Sequence, residues 1–88
     1  MRLEDAQKIL KRPYVTERTF DQIERENKLC FLVDDKVSKT QIASAVQALY
    51  EVKVHAVNTS RTIRWKKAFV RFTEAGKAAE LATKLGLV

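Results

Sequence analysis

Between Val52 and Phe72 the sequence reads VKVHAVNTSRTIRWKKAFVRF, where Arg61, Arg64, Lys66 and Lys67 gather around Trp65 with no acid among residues 58–66. Guanidinium and ammonium groups beside an aromatic suit one chemistry well. They neutralise phosphates with salt-sensitive release of counterions, and the ring offers a face to a base. The charge is also localised: residues 1–35 hold seven Lys/Arg against eight Asp/Glu, residues 36–72 eight against one, and residues 73–88 two against two. The whole formal charge of +6 therefore arises in the middle of the chain. A field of that kind attracts polyanions, and a basic cluster with an aromatic favours nucleic acid over a merely solvated face.

Other chemistries lack their parts. His55 lies mid-strand beside Lys53, and Cys30 sits inside the apolar run LCFLV, so no nucleophile, base and orienting group come together. Cys and His do not occur at metal-ligand spacing, and with Gly76 and Gly86 as the only glycines there is no phosphate loop. Asp34 and Asp35, adjacent at a strand-to-helix junction, read as turn formers. The chain is expected to be a non-enzyme with no catalytic, cofactor-binding or metal residues and no small-molecule substrate.

The elements that must position the basic stretch are few. Eighty-eight residues, 45% hydrophobic and 32% charged, make one folded domain over residues 1–88 with one modest core. No apolar run approaches the ~20 residues of a membrane span. MRLEDAQKIL has acids where a signal peptide would be apolar, and the single Cys30 reads as a core residue in a reducing compartment, so the expected location is cytoplasmic. Residues 1–8 read as a polar lead-in, and Pro13 makes the segment before it an extended arm or edge strand, not a helix. Thr16 suits an N-cap for a helix from about Glu17 to Glu26, with Val15 and Phe20 at staple spacing, Phe20 and Ile23 inward and Asn27 as its stop.

Lys28 to Asp34 is apolar on both sides, which predicts a central strand. Ser38 and Gln41 form a capping box for a helix from Lys39 to Tyr50, whose Ile42, Ala45, Val46, Leu49 and Tyr50 make one stripe. Val52, Val54 and Ala56 alternate with Lys53 and His55, and Ala68, Val70 and Phe72 with Lys67, Phe69 and Arg71, giving two strands around a basic hairpin loop at 58–66. Thr73 is expected to cap a last helix that buries Ala78, Leu81, Ala82 and Leu85 and ends at Gly86. The predicted class is α+β: a small, mostly antiparallel sheet packed with three helices, in the order edge strand, α, β, α, β, β, α.

An alternative follows from the second hairpin strand. Ala68-Phe69-Val70-Arg71-Phe72 matches half of the RNA-recognition-motif signature, and the topology from Lys28 onward agrees, so a single-stranded-RNA module with Phe31 and Phe69 as its stacking platform is the second hypothesis. Where the signature's first half needs a basic residue, a glycine and an aromatic, this chain has Trp65, Lys66 and Lys67. A third possibility is a protein adaptor acting through Glu17, Asp21 and Glu24.

Three motifs, taken in order and spacing, resemble the universal large-subunit ribosomal protein twenty-three family. They are Pro13-Tyr14-Val15-Thr16-Glu17-Arg18; then Phe31-x-Val33 with Lys39, Ile42, Ala45-Val46, Leu49-Tyr50, Val52-Lys53-Val54 and Val57-Asn58-Thr59; and Trp65-Lys66-Lys67-Ala68-Phe69-Val70. The resemblance runs from about Ile9 to Phe72. It implies a constituent of the large ribosomal subunit that binds ribosomal RNA beside the polypeptide exit tunnel, touches neighbouring ribosomal proteins and helps form a docking site for nascent-chain factors. It implies no cofactor. By position it carries RNA contacts to Arg12, Tyr14, Thr16, Lys36, Lys39, Thr40, Asn58, Thr59, Arg61, Arg64, Trp65, Lys66 and Lys67, and factor docking to Glu17 and Asp21. Bacterial relatives carry a long loop where only Ser60 to Arg64 stand here, so the chain is similar to the archaeal and eukaryotic short-loop form. That form directs the docking expectation to the signal recognition particle and the protein-conducting channel, with a hairpin too short to enter the tunnel wall.

Overall fold

A computed structural model describes residues 2–61 and 65–87. The elements are α1 (Leu3–Ile9), β1 (Leu10–Pro13), α2 (Glu17–Arg25), β2 (Lys28–Val33), α3 (Lys39–Tyr50), β3 (Val54–Arg61), β4 (Lys66–Phe72) and α4 (Lys77–Lys84). The strands form one sheet in the order β1-β2-β4-β3, and every neighbouring pair is antiparallel. The α+β class, the edge position of β1, the central position of β2 and the order from α2 onward are as the sequence predicts.

One core holds the layers together. Leu29, Phe31 and Val33 of β2 and Ala68, Val70 and Phe72 of β4 turn to it, and all four helices add to the same cluster: Ala6 and Ile9, Ile23, Ile42 with Ala45 and Val46, and Ala78 with Leu81 and Ala82. Period two then sends Cys30, Leu32, Lys67, Phe69 and Arg71 to the opposite face, which none of these helices covers.

The lead-in departs from expectation. Residues 3–9 are helical, so the sheet carries four helices where three were predicted. Pro13 does enforce extended backbone, but only for the short β1. Upstream of it Ala6 and Ile9 stand one turn apart and are buried against α3, with Glu4 and Asp5 in the first turn and Lys8 in the last. Seven residues do not sustain a helix alone; burial of that small apolar stripe does.

Caps fix the other helices. Thr16 and Thr19 exchange side-chain and backbone bonds at the start of α2, and Ser38 and Gln41 do the same for α3, Ser38 N–H donating to Gln41 Oε1 at 2.9 Å. The predicted Thr73 cap is not formed, because α4 starts three residues later, after Gly76 at φ 75°. A distant residue satisfies its first turn instead: Asn27 Oδ1 accepts the Ala78 N–H at 2.9 Å, while Asn27 Nδ2 donates to the carbonyls of Phe72 and Glu74 at 3.1 and 2.7 Å. Asn27 also stops α2 as predicted, at φ 56°. Past α4, Gly86 N–H bonds the Thr83 carbonyl and Leu87 N–H the Ala82 carbonyl, the paired bonds of a Schellman ending.

The hairpin is longer and tighter than a 58–66 loop. Its ladder continues through Asn58 opposite Phe69, Thr59 opposite Ala68, Ser60 opposite Lys67 and Arg61 opposite Lys66. A bulge at His55, between Val54 opposite Phe72 and Ala56 opposite Arg71, switches the alternation. Val57 thus takes the inward place that plain alternation gives to Ala56, and Ala56, Asn58 and Ser60 are exposed.

Candidate nucleic-acid interface

The four strands hold seven Lys/Arg (Lys11, Arg12, Lys28, Arg61, Lys66, Lys67 and Arg71) and not one acid. Asp and Glu are confined to helices and connections. Folding therefore converts a charge block along the chain into a charge asymmetry across the sheet.

At one end of the sheet the hairpin docks on the segment before α3. Asp34 Oδ1 accepts the Lys36 N–H at 3.0 Å and turns the chain, and the Ser38 box then starts α3 with Lys36, Lys39 and Thr40 exposed. Lys66 Nζ donates to the Val37 carbonyl at 2.7 Å, and Arg61 Nε donates to Asp35 Oδ1 at 2.7 Å while its terminal nitrogen meets the other carboxylate oxygen. These contacts join the start of α3 to the end of the hairpin as one cationic patch. No acid lies among residues 58–66, yet one hairpin charge meets a carboxylate from elsewhere in the chain, since Asp35, a turn acid in the sequence, engages Arg61. The hydrogen bond and charge of Arg61 hold the Asp35 carboxyl below its ordinary 3.8, and Asp35 raises the guanidinium in return. With side chains 65% and 56% exposed, the two groups form a weak pair that a phosphate can replace.

Across the open face the register lines up rows. Arg12, Leu32, Lys67 and Ser60 lie side by side on the four strands; Cys30, Phe69 and Asn58 form the next row; Lys28, Arg71 and Ala56 the third. Tyr14 joins the second row, its N–H donating to the Cys30 carbonyl at 2.8 Å and its ring lying 4.4 Å from Lys67 Nζ. Cys30 and Leu32 stay buried under these longer neighbours. Burial pushes the Cys30 thiol up to about 11 against the opposing charge of Lys67, so it is a packed thiol and not a nucleophile.

The structure thus brings Lys36, Lys39, Thr40, Arg61 and Lys66 together at one end, and Arg12, Tyr14, Asn58 and Lys67 on the open face. Thr59 turns to the helix side and is half-buried, and Thr16 already serves as the α2 cap. Trp65 is 42% exposed and is not a core residue. Arg64 lies outside the described residues. Glu17 and Asp21 stand one turn apart, exposed on α2. Phe31 is 1% exposed and stacks with Tyr50 inside the core, so the two-aromatic platform of Phe31 and Phe69 does not exist. Arg71, absent from the contacts carried over by motif, shares the open face; the period-two run Lys67, Phe69, Arg71 was the signal for it. Among the described residues no group of three Cys, His, Asp or Glu could hold a metal, and no helix is long and apolar enough to cross a membrane.

The family described as Ribosomal protein L23 matches residues 8–81. Over 80 residues the chain is 42% identical to the large ribosomal subunit protein uL23 of Haloarcula marismortui, covering 90% of this chain and 94% of that protein. The uL23 of Methanococcus aeolicus is 39% identical over 84 residues, covering 94% and 98%. That of Dictyostelium discoideum is 45% identical over 85 residues, covering 96% of this chain but only 50% of the longer eukaryotic protein.

Proposed function

The chain belongs to the ribosomal protein L23 family, a family of structural proteins and not of enzymes, and from that premise we propose that it binds large-subunit ribosomal RNA in the cytoplasmic ribosome. Supporting this is the joined patch of Lys36, Lys39, Arg61 and Lys66, which no single stretch of sequence contains. Lysine and arginine side chains there meet phosphates, the amides opening α3 add positive potential, and the exposed hydroxyl of Thr40 reaches sugar or phosphate oxygens. Arg12, Tyr14, Asn58 and Lys67 extend the contact over the sheet, with Trp65 beside it at the hairpin end.

The same reading places the subunit's exit site nearby and gives α2 a different task. Glu17 and Asp21 present carboxylates to factors that meet nascent chains, the signal recognition particle first and the protein-conducting channel second, while neighbouring large-subunit proteins contact the remaining surface. With only Ser60 to Arg64 between its Asn-Thr and Trp-Lys-Lys motifs, the hairpin is too short to enter the tunnel wall.

Replacing Lys36, Lys39, Lys66 and Lys67 together by Ala is expected to weaken binding to a domain-sized fragment of large-subunit RNA and to flatten its log–log salt dependence by roughly three, at about 0.7–0.9 per phosphate lost. An unchanged slope removes the patch from the interface. Glu17→Lys is expected to reduce recovery of the signal recognition particle on ribosomes while the variant still sediments with large subunits; undiminished recovery refutes the docking role.

A further inference from the structure

We propose that the open face of the sheet holds an unpaired nucleotide of the bound RNA, its base stacked on Phe69 and its flanking phosphates on Lys67 and Arg71. This deepens the RNA-binding reading and rests on it. Phe69 is the one aromatic of β4 on the uncovered face, half-buried at the middle of its strand, with Cys30 and Asn58 as its cross-strand neighbours. Buried Cys30 gives the ring an apolar floor, and the exposed Asn58 amide offers both donor and acceptor to a base edge.

Charge and spacing select the occupant. Lys67 and Arg71 stand two residues before and after Phe69 on the same face, about 7 Å along the strand to either side. Arg12 continues the positive row beyond Leu32. At the corner of the face Lys28 engages Glu26 at 3.7 Å. A cationic rim around Phe69, with Tyr14 and the Asn58 amide in the same row, fits a ribonucleotide: a duplex hides its base faces, and an acidic peptide has no use for the ring. The same face could not do this through Phe31, which lies on the covered side.

The test compares two RNAs on the intact protein: a short unstructured oligouridine carrying one 2-aminopurine, whose fluorescence falls on stacking, and a fully paired RNA stem. Phe69→Leu, which keeps an apolar cover over Cys30, is expected to weaken the oligomer roughly tenfold, to abolish the fluorescence change, and to leave the paired stem within about twofold. Phe69→Tyr retains binding and quenching. Arg71→Gln, at an exposed position that leaves the core untouched, flattens the oligomer's salt slope by about one phosphate and serves as the independent variant should Phe69→Leu lose its fold. Oligomer binding and quenching unaltered in Phe69→Leu, or a slope unaltered in Arg71→Gln, overturns the proposal while binding of the stem keeps the RNA reading intact. Failure of the wild type to bind either RNA overturns both.

Discussion

Phe31 and Phe69 sit on adjacent central strands, one register step apart, yet they belong to two different molecules in effect. Phe31 is 1% exposed beneath the helices and stacks with Tyr50 at 6.1 Å, while Phe69 is only half-buried among Lys67, Arg71 and Asn58. Alternation along a strand decides that neighbours face opposite ways; only the placing of helices decides which way is inside. The comparison is tested by the same substitution on each side. Phe31→Ala is expected to cost about 3–5 kcal/mol in urea unfolding, from lost burial and the cavity left behind, while Phe69→Ala costs no more than about half that. RNA affinity should rank the two in the reverse order whenever both remain folded. Equal stability losses would mean that the second face is also sealed.

The helix side depends further on a clasp at its margin. Asn27 ties the end of α2 to the end of β4 and to the start of α4 through three side-chain bonds while its own backbone is left-handed at φ 56°. Asn27→Ala removes those bonds and leaves at a left-handed position a side chain with no polar group to offset its strain, for an expected loss of about 2–3 kcal/mol. Asn27→Gly should recover only the backbone part, about 1 kcal/mol, and neither variant should alter the salt dependence of RNA binding. A change in that slope would show that the two sides are mechanically coupled.

Local chemistry was readable in the sequence wherever a few adjacent residues carry it. The Ser38–Gln41 box, the Thr16 cap, the apolar β2 and the stripe of α3 all formed as their spacing predicts. What escaped needed partners distant along the chain: α1 exists because Ala6 and Ile9 meet α3, and α4 is capped by Asn27, 51 residues before Ala78. The bulge at His55 likewise shows in the pairing with β4 and not in the pattern of β3. For the site, the basic composition was plain, but which cations share a surface required the register, and the engagement of Arg61 by Asp35 joins two segments 26 residues apart.

Ser38 lies where the two sides meet, since its cap starts a core helix and steadies the segment whose Val37 carbonyl receives Lys66. Ser38→Ala is expected to lower stability by about 1 kcal/mol and to weaken RNA binding a few-fold without changing the salt slope, because no charge is removed. A slope that falls as it does for the lysine variant would mean that the cap sets the patch outright.

The smallest effect belongs to Asp35, and its sign is informative. Its carboxyl is held below 3.8 in the folded chain, so the pair with Arg61 contributes at every pH above the ordinary carboxylate value and is lost only as pH falls through the lowered one. At neutral pH the pair is intact, and pH alone will not expose its role. Asp35→Asn does so: both partners are well exposed, so the unfolding midpoint should stay within experimental scatter, whereas RNA affinity should rise a few-fold as Arg61 is released to phosphate. Decreased affinity would give Asp35 the opposite task, that of holding the guanidinium in position for the RNA, and would make the acid part of the binding surface itself.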